Sequence, residues 1–114
     1  QMNNTEQIQR LERKARAAIL SAYQRSADEN QVRLYAEHHL EELEPDYWLK
    51  NLGTATPQPL QVLKVLELSP YVDWTLEQDE NYRIDLTLPE AVTQYVLCVE
   101  LDRDESLVGI SMES

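Results

Sequence analysis

The densest set of side chains able to do chemistry is Glu37-His38-His39-Leu40-Glu41-Glu42, in which His38 and Glu42 stand four residues apart and share one face of a helix. Such a pair could hold a metal ion, and with it a small hydrolase site, but the pattern is incomplete. Adjacent histidines point about 100° apart on a helix. There is no second histidine pair, and the zinc-protease order of two histidines flanking a glutamate is absent. His39 falls with Tyr35 and Leu43 on an apolar stripe, which predicts a packed, hydrogen-bonded imidazole. The single cysteine, Cys98, lies within an apolar run where a thiolate would be poorly solvated, so a buried structural thiol is expected. Ser69, Ser106 and Ser111 lack the glycine-flanked elbow of a hydrolase nucleophile. With only Gly53 and Gly109, the chain has no glycine-rich phosphate loop. Gly53 reads as a helix C-cap and Gly109 as a bulge or close packing point in a strand. No catalytic residue, metal or cofactor is assigned, and the chain is read as a non-enzyme.

What remains is charge. The 114 residues carry 21 Asp+Glu against 10 Lys+Arg, a formal net charge of -11. The distribution is uneven. Residues 1–27 hold five basic and two acidic residues, net +3, leaving five basic and nineteen acidic residues, net -14, for the remainder. Arg10, Arg13, Lys14 and Arg16 could form a phosphate-binding face, but in so acidic a chain long-range repulsion opposes nucleic acid. Pairing of these side chains with acidic groups of the body is expected instead. Two turns gather carboxylates, Asp79 and Glu80 in one and Asp102, Asp104 and Glu105 in the other. Clustered in this way they would attract a basic protein partner, or simply keep the chain in solution. Tyr47 and Trp48 are the aromatic candidates for an interface centre, with Trp74 and Tyr82 a second pair, Trp74 fitting the core better.

These residues must be positioned by a small set of elements. Ile8, Leu11, Ala15, Ala18, Ile19, Ala22 and Tyr23 repeat at three- and four-residue spacing, which predicts a first helix ending near Ser26. A start signal at Asp28-Glu29-Asn30-Gln31 opens a second helix, 44–52 a short third one stopped by Gly53, and Thr56-Pro57 a fourth ending before Ser69-Pro70. From Tyr71 the period changes to two. Strands are expected at 72–76 and 82–88, joined by a hairpin turn at 78–81, then at 95–99 and 107–112 around a turn at 102–105. Helices first and strands last predict an α+β domain, with N-terminal helices packed on one face of a C-terminal, mostly antiparallel sheet of about four strands. One domain spanning 2–114 is expected, with Gln1 read as a tag remnant ahead of Met2. No apolar stretch is long enough to cross a bilayer, and the lone cysteine suits a reducing, cytoplasmic compartment.

The C-terminal residues Tyr95-Val96-Leu97-Cys98-Val99-Glu100-Leu101-Asp102 and Ile110-Ser111-Met112-Glu113-Ser114 resemble the ending of small bacterial domains. The order of helices followed by a meander is similar to immunity proteins of polymorphic and contact-dependent toxin systems. That resemblance implies a cytoplasmic protein that neutralises a cognate toxin domain by stoichiometric binding, with no contact residues carried across. On this view Asp79, Glu80, Asp102, Asp104 and Glu105 steer the toxin and Tyr47 and Trp48 anchor it. The alternative is a general interaction or scaffold module whose first helix docks on another protein or on a second copy, giving a homodimer.

Overall fold

Residues 4–25, 30–70 and 80–114 are described by the structure, a computed structural model of the chain. Four helices precede the main strands. In α1 (Asn4–Arg25) the four-residue spacing of Leu11, Ala15 and Ile19 places all three in the core. α2 (Gln31–Glu42) starts at Asn30, whose side chain accepts a 2.7 Å bond from Arg33 N and donates to Ala22 O, so one residue caps α2 and ties it to the end of α1. α3 (Pro45–Leu52) has proline in its first turn and stops at Gly53, which adopts φ 78° and bonds Leu49 O. That left-handed conformation carries no Cβ penalty for glycine.

The fourth helix differs from its expected bounds. α4 runs from Pro59 to Lys64, so Thr56 and Pro57 do not start it. The reason is the sequence Pro57-Gln58-Pro59. A residue preceding proline is pushed out of the helical region, and Gln58 is extended at φ -83°, ψ 157°. Gln58 therefore lies before the helix, its N–H donating to Gln61 Oε1 at 2.7 Å, while Pro57 is buried. At the other end Leu66 is already outside α4, and the two residues after it are strand rather than helix.

The sheet is β1 (Glu67–Leu68), β2 (Tyr82–Thr87), β3 (Val96–Leu101) and β4 (Leu107–Glu113), antiparallel throughout and ordered β1-β2-β3-β4. β2, β3 and β4 fall on the strands expected at 82–88, 95–99 and 107–112. The expected strand at 72–76 and most of the turn at 78–81 lie outside the described residues, and the strand beside β2 is Glu67–Leu68, with Ser69 N continuing the ladder onto Asp85 O. Alternation sends Ile84, Leu86, Leu97, Val99 and Leu101 to the face that the helices cover, each worth about 1.5–3 kcal/mol of burial. Cys98 points the other way and is also buried, so the middle of β3 is covered on both faces. Its thiol is pushed up to about 12 by that burial and by the neighbouring Asp85 carboxylate. The β3–β4 register slips between Glu100, opposite Gly109, and Leu101, opposite Leu107, so Val108 is the extra residue of a bulge beside Gly109.

Candidate functional site

The acidic side chains occupy two contrasting places. In the β3–β4 turn Asp102 Oδ1 accepts bonds from Asp104 N and Ser106 N, both 2.9 Å, so this half-buried carboxylate holds the turn. Glu105 takes a left-handed conformation, φ 67°, which normally favours glycine. Its carboxylate receives Arg10 Nε at 2.8 Å and Nη2 at 2.6 Å, and Lys14 Nζ at 3.2 Å. These bonds hold Glu105 at about 2, well below its ordinary value. Glu105 is thus a clamp between the hairpin and α1. Asp104 is exposed, Glu80 is exposed with Arg103 reaching its carbonyl at 3.5 Å, and Asp79 lies outside the described residues.

The basic face of α1 is taken up in the same way. Arg10 and Lys14 bind Glu105, while Arg16 bonds both Glu12, one turn away, and Leu66 O at the end of α4. Gln7 Nε2 adds a 2.9 Å bond to the Tyr82 hydroxyl. This part of α1 is largely spent on holding the helix to the rest of the fold, although Arg13 and Lys14 are both exposed.

Both aromatic candidates are part of the scaffold, Trp48 by packing, with its buried indole N–H left without a hydrogen-bond partner among the described residues, and Tyr47 also by a hydrogen bond. Trp48 is 2% exposed and belongs to the core, with its indole packed edge-on to Tyr47 at 5.0 Å. Tyr47 is half-buried and donates its hydroxyl to Pro89 O at 2.9 Å; burial, and then the Glu90 carboxylate, push that hydroxyl up to about 12. Lys50 pairs with Glu90 at 3.2 Å, so α3 is fastened to the Pro89–Ala91 turn at two points.

The second acidic place was not singled out as a binding surface from the sequence. Between Leu34 and Leu49 there are five carboxylates, Glu37, Glu41, Glu42, Glu44 and Asp46, and no Lys or Arg. All five are exposed, and none joins an ion pair among the described residues. Glu41 and Glu42 crowd the C-terminal end of α2, where the helix dipole disfavours negative charge by about 0.3–1 kcal/mol each, whereas Glu44 and Asp46 stand at the N-terminal end of α3, where it favours negative charge. Leu34 is 51% exposed on the stripe of α2 that bears Glu37 and Glu41, and Leu49 is 55% exposed one turn from Asp46 on α3. The signal available in the sequence is the sixteen-residue stretch without Lys or Arg.

Beneath this shoulder His39 is 1% exposed. Its Nδ1 lies 2.8 Å from Tyr35 O and must donate, which leaves Nε2 to accept from the Thr93 hydroxyl at 2.9 Å. Thr93 Oγ1 also accepts from Tyr95 N, and Tyr95 O accepts from both the Tyr35 and Thr87 hydroxyls at 3.0 Å. α2 is thereby fixed to the segment leading into β3. Burial holds the imidazole below its ordinary 6.5, so His39 is neutral near pH 7. With both its ring nitrogens used internally, it is unavailable to a metal, and among the described residues no group of three or more His, Cys, Asp or Glu is placed to hold one. Among the same residues no helix is long and apolar enough to cross a membrane. No protein family, curated protein or solved structure was found to match the chain.

Proposed function

We propose that this protein acts by binding rather than catalysis, as a cytoplasmic immunity protein that neutralises a basic toxin domain in a one-to-one complex. The observation that carries the proposal is the α2–α3 shoulder, five exposed carboxylates with no Lys or Arg among them and no ion pair to any of them among the described residues. Such a surface concentrates negative potential and can raise the association rate with a basic partner by about 10- to 1000-fold at low salt. Leu34 and Leu49 supply apolar area beside the charges, which a lasting complex needs for a slow off-rate. Asp104 and Glu80 add exposed acidic groups at the sheet end, whereas Glu105, Asp102, Tyr47 and Trp48 support the scaffold. The direction toward immunity, rather than another basic partner, comes from the resemblance of residues 95–102 and 110–114 to that class.

The test is capture of the tagged protein from cells that make it, at low and at raised salt, followed by an activity assay on what co-purifies. A basic toxin domain recovered at one-to-one stoichiometry and inhibited by the added protein is the expected result. Recovery of no stoichiometric partner, or of one whose activity is unaffected, would overturn the proposal.

A further inference from the structure

The connection between β2 and β3, residues 89–95, stores backbone strain. Glu90 and Ala91 take φ 71° and 52° in succession, and neither is glycine, so both carry the Cβ penalty of the left-handed region. None of the seven residues is fully buried, and Glu90, Ala91 and Gln94 are exposed, so little apolar burial holds the segment down. Side-chain bonds hold it instead, at two ends. α3 holds the first end through the Tyr47 hydroxyl on Pro89 O and through Lys50 on Glu90. α2 holds the second through His39, whose Nε2 accepts from the Thr93 hydroxyl, and through Tyr35, whose hydroxyl donates to Tyr95 O. Strain kept in place by bonds from outside the segment is relieved when those bonds fail.

We propose that residues 89–95 are an acid-released strap: uptake of a proton by His39 breaks its bond with Thr93 and lets the connection open as a local unit while the helices and the sheet stay folded. With Nδ1–H donating to Tyr35 O, Nε2 accepts from Thr93 only while it carries no proton. A proton there makes Nε2 a donor facing the Thr93 hydroxyl, which must turn its own proton away while its oxygen still accepts from Tyr95 N. The groups facing the ring are Tyr35 and His38 of α2, with ring centroids 4.2 and 5.0 Å away, and Tyr95 of the strap at 6.1 Å. No carboxylate bonds His39 among the described residues, so an imidazolium at 1% exposure has no counter-charge in contact. Opening returns the ring to water, where it binds the proton at its ordinary 6.5, whereas burial in the closed strap holds it lower. The closed strap is therefore fully favoured above pH 6.5, and each pH unit below that favours opening by up to about tenfold. The α3 end does not share this response. Asn51, and then Lys50, hold the Glu90 carboxylate below its ordinary 4.5, so it stays charged between pH 7 and pH 5. The strap does not depend on the function proposed for the α2–α3 shoulder.

The experiment is amide hydrogen exchange of the full chain, followed by NMR at pH 7, 6 and 5 with and without low urea, each rate being divided by that of an unstructured peptide at the same pH. Tyr95 N reports on the strap, and Val99 N, paired on both sides in the middle of the sheet, is the reference. Expected is a relative exchange rate at Tyr95 about tenfold or more higher at pH 5 than at pH 7 and insensitive to low urea, while Val99 stays slower at every pH and quickens with urea. The Cε1 proton of His39, read in the same samples, titrates below pH 6.5. These wild-type readings do not require a variant. His39→Gln, which takes up no proton, loses the pH response, and His38→Asn, which alters the other histidine beside Tyr95, keeps it. Tyr95 exchange unchanged between pH 7 and pH 5, a rise that shares the urea dependence of Val99, a His39 ring that titrates at 6.5 or above, or a response kept by His39→Gln or lost in His38→Asn would overturn the strap.

Discussion

Two acidic regions of the same chain have opposite fates. In the β3–β4 turn the charge is consumed internally: Asp102 ties the turn, and Glu105 accepts a left-handed backbone while its carboxylate binds Arg10 and Lys14. At the α2–α3 shoulder the charge is left to solvent, and at Glu41 and Glu42 it opposes the dipole of the helix that bears it. Carboxylates within reach of a base become part of the fold, and those without one become surface. The shoulder is consequently the better docking candidate, although both regions look alike as strings of Asp and Glu.

The largest expected effect concerns what lies beneath the shoulder. His39→Ala removes a buried ring and strands the Thr93 hydroxyl, for a loss of about 2–4 kcal/mol in urea denaturation. In the wild type, the folded state holds His39 below its ordinary 6.5, so the unfolded chain binds the proton first. Stability is therefore full above pH 6.5 and declines as pH falls below it. A His39→Ala protein as stable as wild type would sever the link drawn between α2 and the segment before β3.

Reversing Glu37, Glu41, Glu44 and Asp46 to lysine is expected to slow association with the captured basic partner by about 10- to 100-fold at low salt, as read by stopped flow, with the difference shrinking as salt rises. Lysine at Glu41 suits the α2 dipole better, whereas lysine at Glu44 and Asp46 opposes that of α3, so the four changes should lower urea stability by no more than about 1–2 kcal/mol and leave the protein folded. An unaltered association rate would remove the distinction between the two regions.

Glu105→Ala should cost about 1 kcal/mol by loss of the Arg10 and Lys14 pairs, leaving partner association untouched. Glu105→Gly should cost less, since glycine relieves the φ of 67° while losing the same pairs. In wild type this carboxylate titrates at about 2 instead of 4.5, so its contribution is present above pH 4.5 and is lost as pH falls toward 2. Acid titrations of wild type and Glu105→Gln should diverge in that window. The smallest effect belongs to Lys50→Ala: the pair with Glu90 is well exposed, and its removal should shift stability by no more than about 0.5 kcal/mol in thermal melts.

Much of the architecture was legible because it rests on local rules. The apolar stripe of α1, the cap at Asn30, the stop at Gly53 and the alternation of residues 82–88 each depend on neighbours within about one turn or one strand. Even the start of α4 was available, since Gln58 stands before Pro59 and cannot begin a helix easily. The candidate surface was less legible. Glu105 and Arg10 are 95 positions apart, and nothing local distinguishes Glu105 from Asp104, its exposed neighbour. Trp48 likewise resembled an interface anchor beside Tyr47 until packing put it in the core.

The sequence by itself determined the α+β order of elements, the acidic character and the absence of a recognisable catalytic motif, because periodicity, capping and composition act over short spans. Only the tertiary structure decided which carboxylates are spent and which remain outward. Those outcomes depend on the distance between groups far apart in the chain, and a carboxylate's charge is neutralised by what folding brings within about 4 Å of it, not by what precedes it in sequence.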